Sequence, residues 1–549
     1  MIFHGGEILT LDPMRPAPEA LGVRDGKIMA IGALHDVRAA MGSDAEFDLQ
    51  NGVLLPSLKD HHVHVLNVGF AALNRARNAA LFLDLASARS ADEVARRVAE
   101  RAANVPPGAW IFGNCWNQRL WGTEALPTHH PLTQAAPQHP VMLIRVDAHC
   151  AWVNAAALAA AGITRDTPEP YGGAILRLGD GSPSGILLER AAELVLEKSP
   201  QPTDDVIRDA FRAGAHLLAA QGITDVFDAG FLPFPGIVAM NVPLERCMDL
   251  LLALDAAEPL PININLMVPW PTTLAEAVLA GRWPLAIRPR VRITHIKLFA
   301  DGAMGSRGAA LSRPFADDRA MQGVFRMSAE EIREVTQRTI TAGLDVATHA
   351  IGDAAVRRVL DVYDQILKAN PGLNPRRLRV EHFSVAQPAD ISRAVRLGVL
   401  LSIQPGFIIP DSDGRIMEDH RLGTHYSEEV YPWATLEEQG AVLAGGSDDF
   451  TYPNHPLWGF YAAATRKNSA GQPAEGWHPT EKLSRQSSLR LFTDFFTQGG
   501  VVARGMLRKG APADFVILSA NPLTVEEPRI LSLEVRATYS AGRATFVQR

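Results

Sequence analysis

Eight short runs of apolar and β-branched residues recur along the middle of the chain, at 53–60, 222–228, 262–268, 291–299, 344–349, 378–382, 398–404 and 441–446. Segments with apolar residues spaced three to four apart, such as 329–342 and 353–368, fall in the gaps between them. Strands apolar on both faces belong to parallel sheets whose two sides are covered by helices. Eight such strands alternating with helices predict an α/β fold, a closed (β/α)8 TIM barrel over residues 53–504. A barrel of this kind gathers its functional groups at the carboxyl ends of its strands.

One gap is far too long for a simple connection. Between the first run and GITDVFD at 222–228 lie more than 150 residues, and a structureless loop of that size is disfavoured. An inserted subdomain spanning about 75–215 is therefore expected over the barrel mouth. The two ends of the chain read differently from the middle. IFHGGEILTL and ALGVRDGKIMAIG nearly alternate, with Asp25-Gly26 as a hairpin turn, and GMLRKGAPADFVILS and EVRATYSAGRATFVQ repeat the style at the other end. Edge strands need partners, so residues 1–52 and 505–549 are expected to form one small composite β-sandwich.

A formal charge of −7 and a pI near 6.2 argue against a nucleic-acid or anionic-membrane surface. No apolar run is long enough to span a bilayer, and the amino terminus lacks a basic segment followed by an apolar one. Cys115, Cys150 and Cys247 form no close-spaced motif and cannot all pair, which favours a reducing, cytoplasmic setting. The partner expected is a small-molecule substrate, with no nucleic acid or membrane and with a homodimer as the prior for a soluble enzyme.

Ionisable residues sit where a barrel would bring them together. In LPSLKDHHVHV, period-two alternation turns Asp60, His62 and His64 to one face. A His-x-His pair on one face of a strand offers two imidazole nitrogens to a cation of the zinc type. Lys297 lies on the fourth run, His349 closes the fifth, His382 the sixth, and Asp448 follows the eighth. Singly, each has a plain alternative: a strand-end histidine can be structural, Lys297 an ion-pair partner, Asp448 a turn cap. Jointly, each of these strand ends offers a metal ligand or a proton carrier to one point.

The set D-x-H-x-H, His349, His382 and Ser447-Asp448 resembles the amidohydrolase superfamily of metal-dependent hydrolases. KLFADGAMGSR (297–307), THAIGDAA (348–355), VEHFS (380–384), DAHCAWVN (147–154) and GAPADFVIL (510–518) are similar to its YtcJ-like branch, which includes N-substituted formamide deformylases. The resemblance implies that His62, His64 and Asp448 bind one divalent ion and His349 and His382 a second, bridged by Lys297 as an N-carboxylated lysine. An unmodified Lys297 would leave a single-ion site. Zinc is the first choice, with manganese, iron or cobalt as the other ions expected. The implied reaction is hydrolysis of a carbon–nitrogen bond by metal-activated water, with Asp448 passing the water's proton to the leaving nitrogen. A cyclic deaminase, a lactone or ester hydrolase, and a non-catalytic binding protein on the same barrel are the alternatives.

Substrate contacts are expected from Trp116, Asn117, His149 and Asn154 in the insertion, from Asp301, Ser306 and Arg307 after the fourth run, and from Tyr452, His455 and Trp458 after Asp448. For each, a turn, a helix cap or ordinary packing is the alternative. Alternation turns Glu381 away from the face of His382. Two positions depart from the family pattern. Pro56-Ser57-Leu58-Lys59-Asp60 stands where Pro-Gly-apolar-apolar-Asp is usual, so Lys59 faces the apolar layer behind the barrel and its charge needs a partner. Asp449-Phe450 replaces a small residue and a proline beside Asp448, which alters the rim there.

Overall fold

In the computed structural model, one eight-stranded parallel sheet runs in chain order through β1 (Leu58–Val63), β2 (Ile223–Asp228), β3 (Asn263–Pro269), β4 (Val291–Phe299), β5 (Asp345–Ala350), β6 (Leu378–His382), β7 (Leu400–Ile403) and β8 (Val442–Gly445). The structure describes residues 1–14, 17–77, 81–123, 125–231, 244–283, 290–408, 416–426, 429–448, 455–503 and 505–548. Nearly every strand residue is buried, as expected for a sheet enclosed by helices. The helices between the strands carry one apolar face. Ala329–Thr341 is capped by Ser328, whose hydroxyl accepts from Glu331 N, and Asp353–Ala369 turns Val356, Val359, Leu360, Tyr363 and Ile366 inward.

The sheet curls into a nearly closed barrel. Its end strands β1 and β8 are bridged by chain rather than by a ladder: Lys59 N donates to Phe492 O at 2.6 Å, Gly445 N to Leu491 O at 2.9 Å, and Asp448 N to His62 O at 2.6 Å. Gly446 permits that approach, since a Cβ there would lie 2.5 Å from the Cβ of His62. Outside the barrel, helices Val65–Ala76 and Asp204–Ala220 touch backbone to backbone. A Cβ on Gly69 would fall 1.7 Å from Ala210 O, and one on Gly214 2.4 Å from Val65 O.

The long gap after β1 holds a six-stranded sheet, ordered Gly173–Arg177, Pro183–Glu189, Cys150–Val153, Val141–Arg145, Ile111–Trp116 and Leu83–Asp84, with its own helices Ala91–Ala102, His130–Ala135 and Ala155–Ala160. The helix Asp204–Ala220, which overlaps the end of the expected span of about 75–215, packs on the helix Val65–Ala76. Both chain ends contribute to a five-stranded sheet, ordered Glu7–Ile8, Val53–Pro56, Phe515–Leu518, Val535–Ser540 and Arg543–Val547. A four-stranded sheet of Lys27–Gly32, Ala20–Arg24, Ile2–His4 and Glu46–Asp48 shares a core with it through Phe3, Leu21, Leu54, Phe515 and Tyr539. Residues 53–56, expected to open the first barrel strand, thus belong to the terminal sheet. Val53–Pro56 pairs antiparallel with Phe515–Leu518, and the chain enters the barrel only after Ser57. Asp25 and Gly26 both take positive φ, 51° and 76°, in the hairpin turn read from the sequence.

Among the described residues no helix is long and apolar enough to cross a membrane. Cys115, Cys150 and Cys247 are buried free thiols.

Candidate active site

The carboxyl ends of β1, β4, β5, β6 and β8 meet at one end of the barrel, and their ionisable residues meet with them. His62 points inward from β1. Its Nδ1 lies 2.5 Å from Glu381 Oε2, which leaves Nε2 facing the centre, 3.7 Å from Asp448 Oδ1. His64, one residue past the strand, has Nδ1 2.9 Å from Gly230 O and Nε2 3.4 Å from Asp448 Oδ1. The ligand-capable atoms of His62, His64 and Asp448 all lie within 4.8 Å of one another. Lys297 Nζ comes within 3.4 Å of His62 Nε2. His382 Nδ1 is 4.0 Å from Asp448 Oδ2, and the His349 and His382 rings are 4.5 Å apart. The six residues named from the strand ends therefore converge.

The donor set suits a cation. Burial, reinforced by neighbouring positive charge, holds His62, His349 and His382 below the ordinary imidazole value, so their lone pairs are available as a metal ligand requires. Burial works against ionisation of Asp448, but the facing His62, His64 and His382 outweigh it and keep its carboxyl low. His382 Nδ1 is buried and has no hydrogen-bond partner among the described residues, a condition that coordination would relieve. Burial lowers the Lys297 amine to about 8, against the pull of Glu381 and Asp448.

Behind the ligands, buried carboxylates hold the backbone in place. Asp60 accepts from the Ser447 hydroxyl, Ser447 N and His62 N, fixing the turn that carries Asp448, which itself sits at φ 49°. Burial nevertheless raises its carboxyl to about 6. Lys59 finds the partner its position demanded: Nζ bonds Thr224 Oγ1 at 2.7 Å and pairs with Asp225.

Above the converging strand-end residues opens a cavity of about 150 Å³ with largely apolar walls, among them Phe299, Met304, Ile351, Phe407, Met417 and Tyr431. None of these six was singled out from the sequence, where an aromatic or a methionine in an apolar run reads as core. The insertion closes one side with Asn117, Asp147 and His149. His149 Nδ1 contacts Glu189 Oε2 at 2.8 Å, and its ring lies 5.4 Å from that of His349. Asn117 accepts from Arg119 N and from Arg145 Nη2.

The other described residues expected at the substrate do not line the cavity. Trp116 is fully buried in the core of the insertion, stacked on Trp121, with Nε1 donating to Leu143 O. Asn154 caps the helix Ala155–Ala160 and bonds Val141 N. Asp301 accepts N–H bonds from Ala310, Ile351 and Gly352, and its Oδ1 lies 3.4 Å from His349 Nε2; burial still raises its carboxyl to about 7. Ser306 Oγ donates to Ala303 O, and Arg307 pairs with Asp317 instead of facing the cavity. His455 caps the helix Pro456–Thr465 through Nδ1, and Trp458 Nε1 donates to Gly406 O. Tyr452, Asp449 and Phe450 lie outside the described residues.

Glu381 corrects the alternation argument. Alternation turns it away from the face of His382, yet its Oε2 meets His62 Nδ1 in the barrel interior. His382 sits at φ 74° and Phe383 at φ 47°, so the strand's two-residue period fails there and neighbouring side chains both turn inward. A carboxylate beside a strand-end histidine, two residues after Arg379 on the same strand face, was the available signal.

The family model described as the amidohydrolase family matches residues 45–546. The chain is 31% identical to YtcJ of Bacillus subtilis, which carries the name of an amidohydrolase, across 99% of both chains. It is 26% identical to the N-substituted formamide deformylase of Arthrobacter pascens, across 99% of this chain and 97% of that one. Among solved structures, a metal-dependent hydrolase of Pyrococcus horikoshii superposes with a TM-score of 0.71 at 25% identity, covering 96% of this chain and 98% of the other.

Proposed function

This chain belongs to the amidohydrolase family and is a metal-dependent hydrolytic enzyme, and on that premise we propose that it cleaves the carbon–nitrogen bond of a small organic amide. The observation that carries the reading is the meeting of His62, His64 and Asp448 within 4.8 Å of one another, with Lys297, His349 and His382 beside them. In this reading His62, His64 and Asp448 would hold one divalent ion and His349 and His382 a second, with an N-carboxylated Lys297 as the ligand that would balance their charge. Carbon dioxide adds only to a neutral amine, and a lysine brought down to about 8 offers one near neutral pH. Imidazole and carboxylate donors suit zinc, and manganese, iron and cobalt accept the same set. The bound metal supplies Lewis acidity, which acidifies water and polarises a carbonyl oxygen.

The chain's own residues do the rest. Asp448 takes the proton of the attacking water as its oxygen bonds to the carbonyl carbon. It returns that proton to the nitrogen as the C–N bond breaks, so an acid and an amine leave. The apolar walls around Phe299 and Phe407 exclude water and seat an uncharged substituent, while Asn117 and His149 offer polar contacts from the insertion. The three buried thiols suit a reducing compartment, the cytoplasm.

The deformylase among the relatives makes N-formyl amines the first compounds to try. Protein loaded with zinc or manganese is to be presented with N-formyl and N-acyl amines, lactones and aminopyrimidines. Amine release from the amides, with two metal ions per chain, is the expected result. Turnover confined to lactones or to deamination would overturn the bond assignment, and one ion per chain would remove the bridging lysine.

A further inference from the structure

We propose that Glu381 is a positioning residue that fixes the tautomer of His62, so that Nε2 is left bare to receive a cation. The inference rests on His62 being a metal ligand, as read above. A carboxylate can only accept, so the Glu381 Oε2 contact with His62 Nδ1 at 2.5 Å puts the ring proton on Nδ1. Nε2 then carries the lone pair, and it is Nε2 that faces Asp448 and Lys297.

His64 reaches the same state by another route. Its Nδ1 lies 2.9 Å from the Gly230 carbonyl, a main-chain acceptor that substitution cannot remove. His62 depends instead on a side chain from the far side of the barrel. That side chain is itself held. Arg379 pairs with Glu381 through Nε, donates to Ser402 Oγ at 3.0 Å and to the His61 carbonyl, and lies 5.0 Å over the Phe227 ring. Arg379, Glu381 and Ser402 are fully buried and His62 is 2% exposed, so no solvent molecule takes over if one member is lost. Carboxylates that orient a ligand imidazole in this way typically contribute tenfold to a hundredfold in metal affinity.

Glu381→Gln offers one acceptor where two donors need one. If the amide oxygen stays with Arg379, the amide N–H faces His62 Nδ1 and drives the proton to Nε2, the atom that must bind metal. Removing the competing donor should restore the tautomer, so Arg379→Met/Glu381→Gln frees the oxygen for His62. Arg379→Met/Glu381→Met has no acceptor at all. The tautomer of His62 is read in metal-free protein by the 15N shifts of labelled histidine, assigned by the signal missing from His62→Asn. Zinc affinity is read by competition with a chelator.

We expect Glu381→Gln to move the proton to Nε2 and weaken zinc binding about tenfold to a hundredfold. The Arg379→Met/Glu381→Gln protein should recover both, and Arg379→Met/Glu381→Met neither. Should Glu381→Gln fail to fold, the two double variants decide alone, since neither buries an unpaired charge. Equal zinc affinity and an unchanged His62 tautomer in those two would overturn the proposal. A parent protein that binds no zinc, manganese or cobalt would sink the metal reading instead, while the metal-free tautomer measurement still tests Glu381.

Discussion

Replacing Lys59 by methionine removes the cation but keeps most of the side-chain volume, and its effect can be worked out from the contacts. The Lys59 and Asp225 side chains are only 10% and 11% exposed, and the ammonium also bonds Thr224 Oγ1 at 2.7 Å. Breaking a buried pair from one side generally costs about 3–5 kcal/mol, because the remaining charge is stranded. Asp225 would not be wholly stranded, since Asn263 Nδ2 and Thr224 Oγ1 each donate to it at 2.8 Å. With each neutral bond contributing about 1 kcal/mol net, the lower end applies, and we expect a loss of about 3 kcal/mol. Lys59→Met/Asp225→Asn, which strands no charge, should sit about 1 kcal/mol below the parent, and so about 2 kcal/mol above Lys59→Met alone. The assay is urea unfolding of metal-loaded protein followed by tryptophan fluorescence.

The pH dependence gives the sign. Burial alone would raise the Asp225 carboxyl, but Lys59 and its hydrogen-bond donors hold it below the ordinary value. In the parent the pair is therefore worth its full amount above the unfolded carboxyl value of about 4 and is lost as pH falls through the folded one. In Lys59→Met burial acts unopposed by the ammonium, the carboxyl rises, and acid relieves the variant. The gap between the two proteins should narrow from pH 7 towards pH 4. A single variant within about 1 kcal/mol of the parent at pH 7, or a gap that widens on acidification, would refute the account of this pair.

Other perturbations separate chemistry from scaffold. Asp448→Asn should retain metal by elemental analysis and lose about 10²–10⁴ in kcat, the range for a lost proton carrier; near-parent turnover would remove the role assigned to it. Gly446→Ala places a methyl 2.5 Å from His62 Cβ and should lower both stability, by about 1–3 kcal/mol, and zinc affinity in a chelator titration. Gly69→Ala, which drives a methyl to 1.7 Å from Ala210 O on the outer helices, should lower the unfolding midpoint while leaving the zinc affinity of the folded protein unchanged.

The eight strands were legible because a strand apolar on both faces has few other places to go in a protein of this size. β4 and β6 fall where the residue pattern put them, at Val291–Phe299 and Leu378–His382. The candidate ligands were legible only jointly: one strand-end histidine can be structural, but His62, His64, Lys297, His349, His382 and Asp448 all fall at or near strand ends of one barrel. Two kinds of information were missing. Segments buried in one sheet look like segments buried in another, so Val53–Pro56 was counted with the barrel although its partner is Phe515–Leu518. Side-chain direction also depends on backbone angles that composition does not reveal. The positive φ at His382 breaks the alternation, so that its ring and the Glu381 side chain both face the barrel interior, and the pairing of Arg307 with Asp317 withdraws a cation expected at the substrate. Polar residues that cap helices, Asn154 and His455 among them, use the same chemistry as polar residues that touch ligands.

The bridge between the barrel's end strands has a temporal consequence. Lys59 and Gly445 take their main-chain partners from Phe492 and Leu491, well beyond Asp448 in the chain. During synthesis, a ribosome that has released every candidate ligand from His62 to Asp448 has still not delivered the segment that stitches the ring shut. An emerging polypeptide would therefore hold its histidines on an unsealed cylinder, and ion capture would be delayed until translation is nearly over.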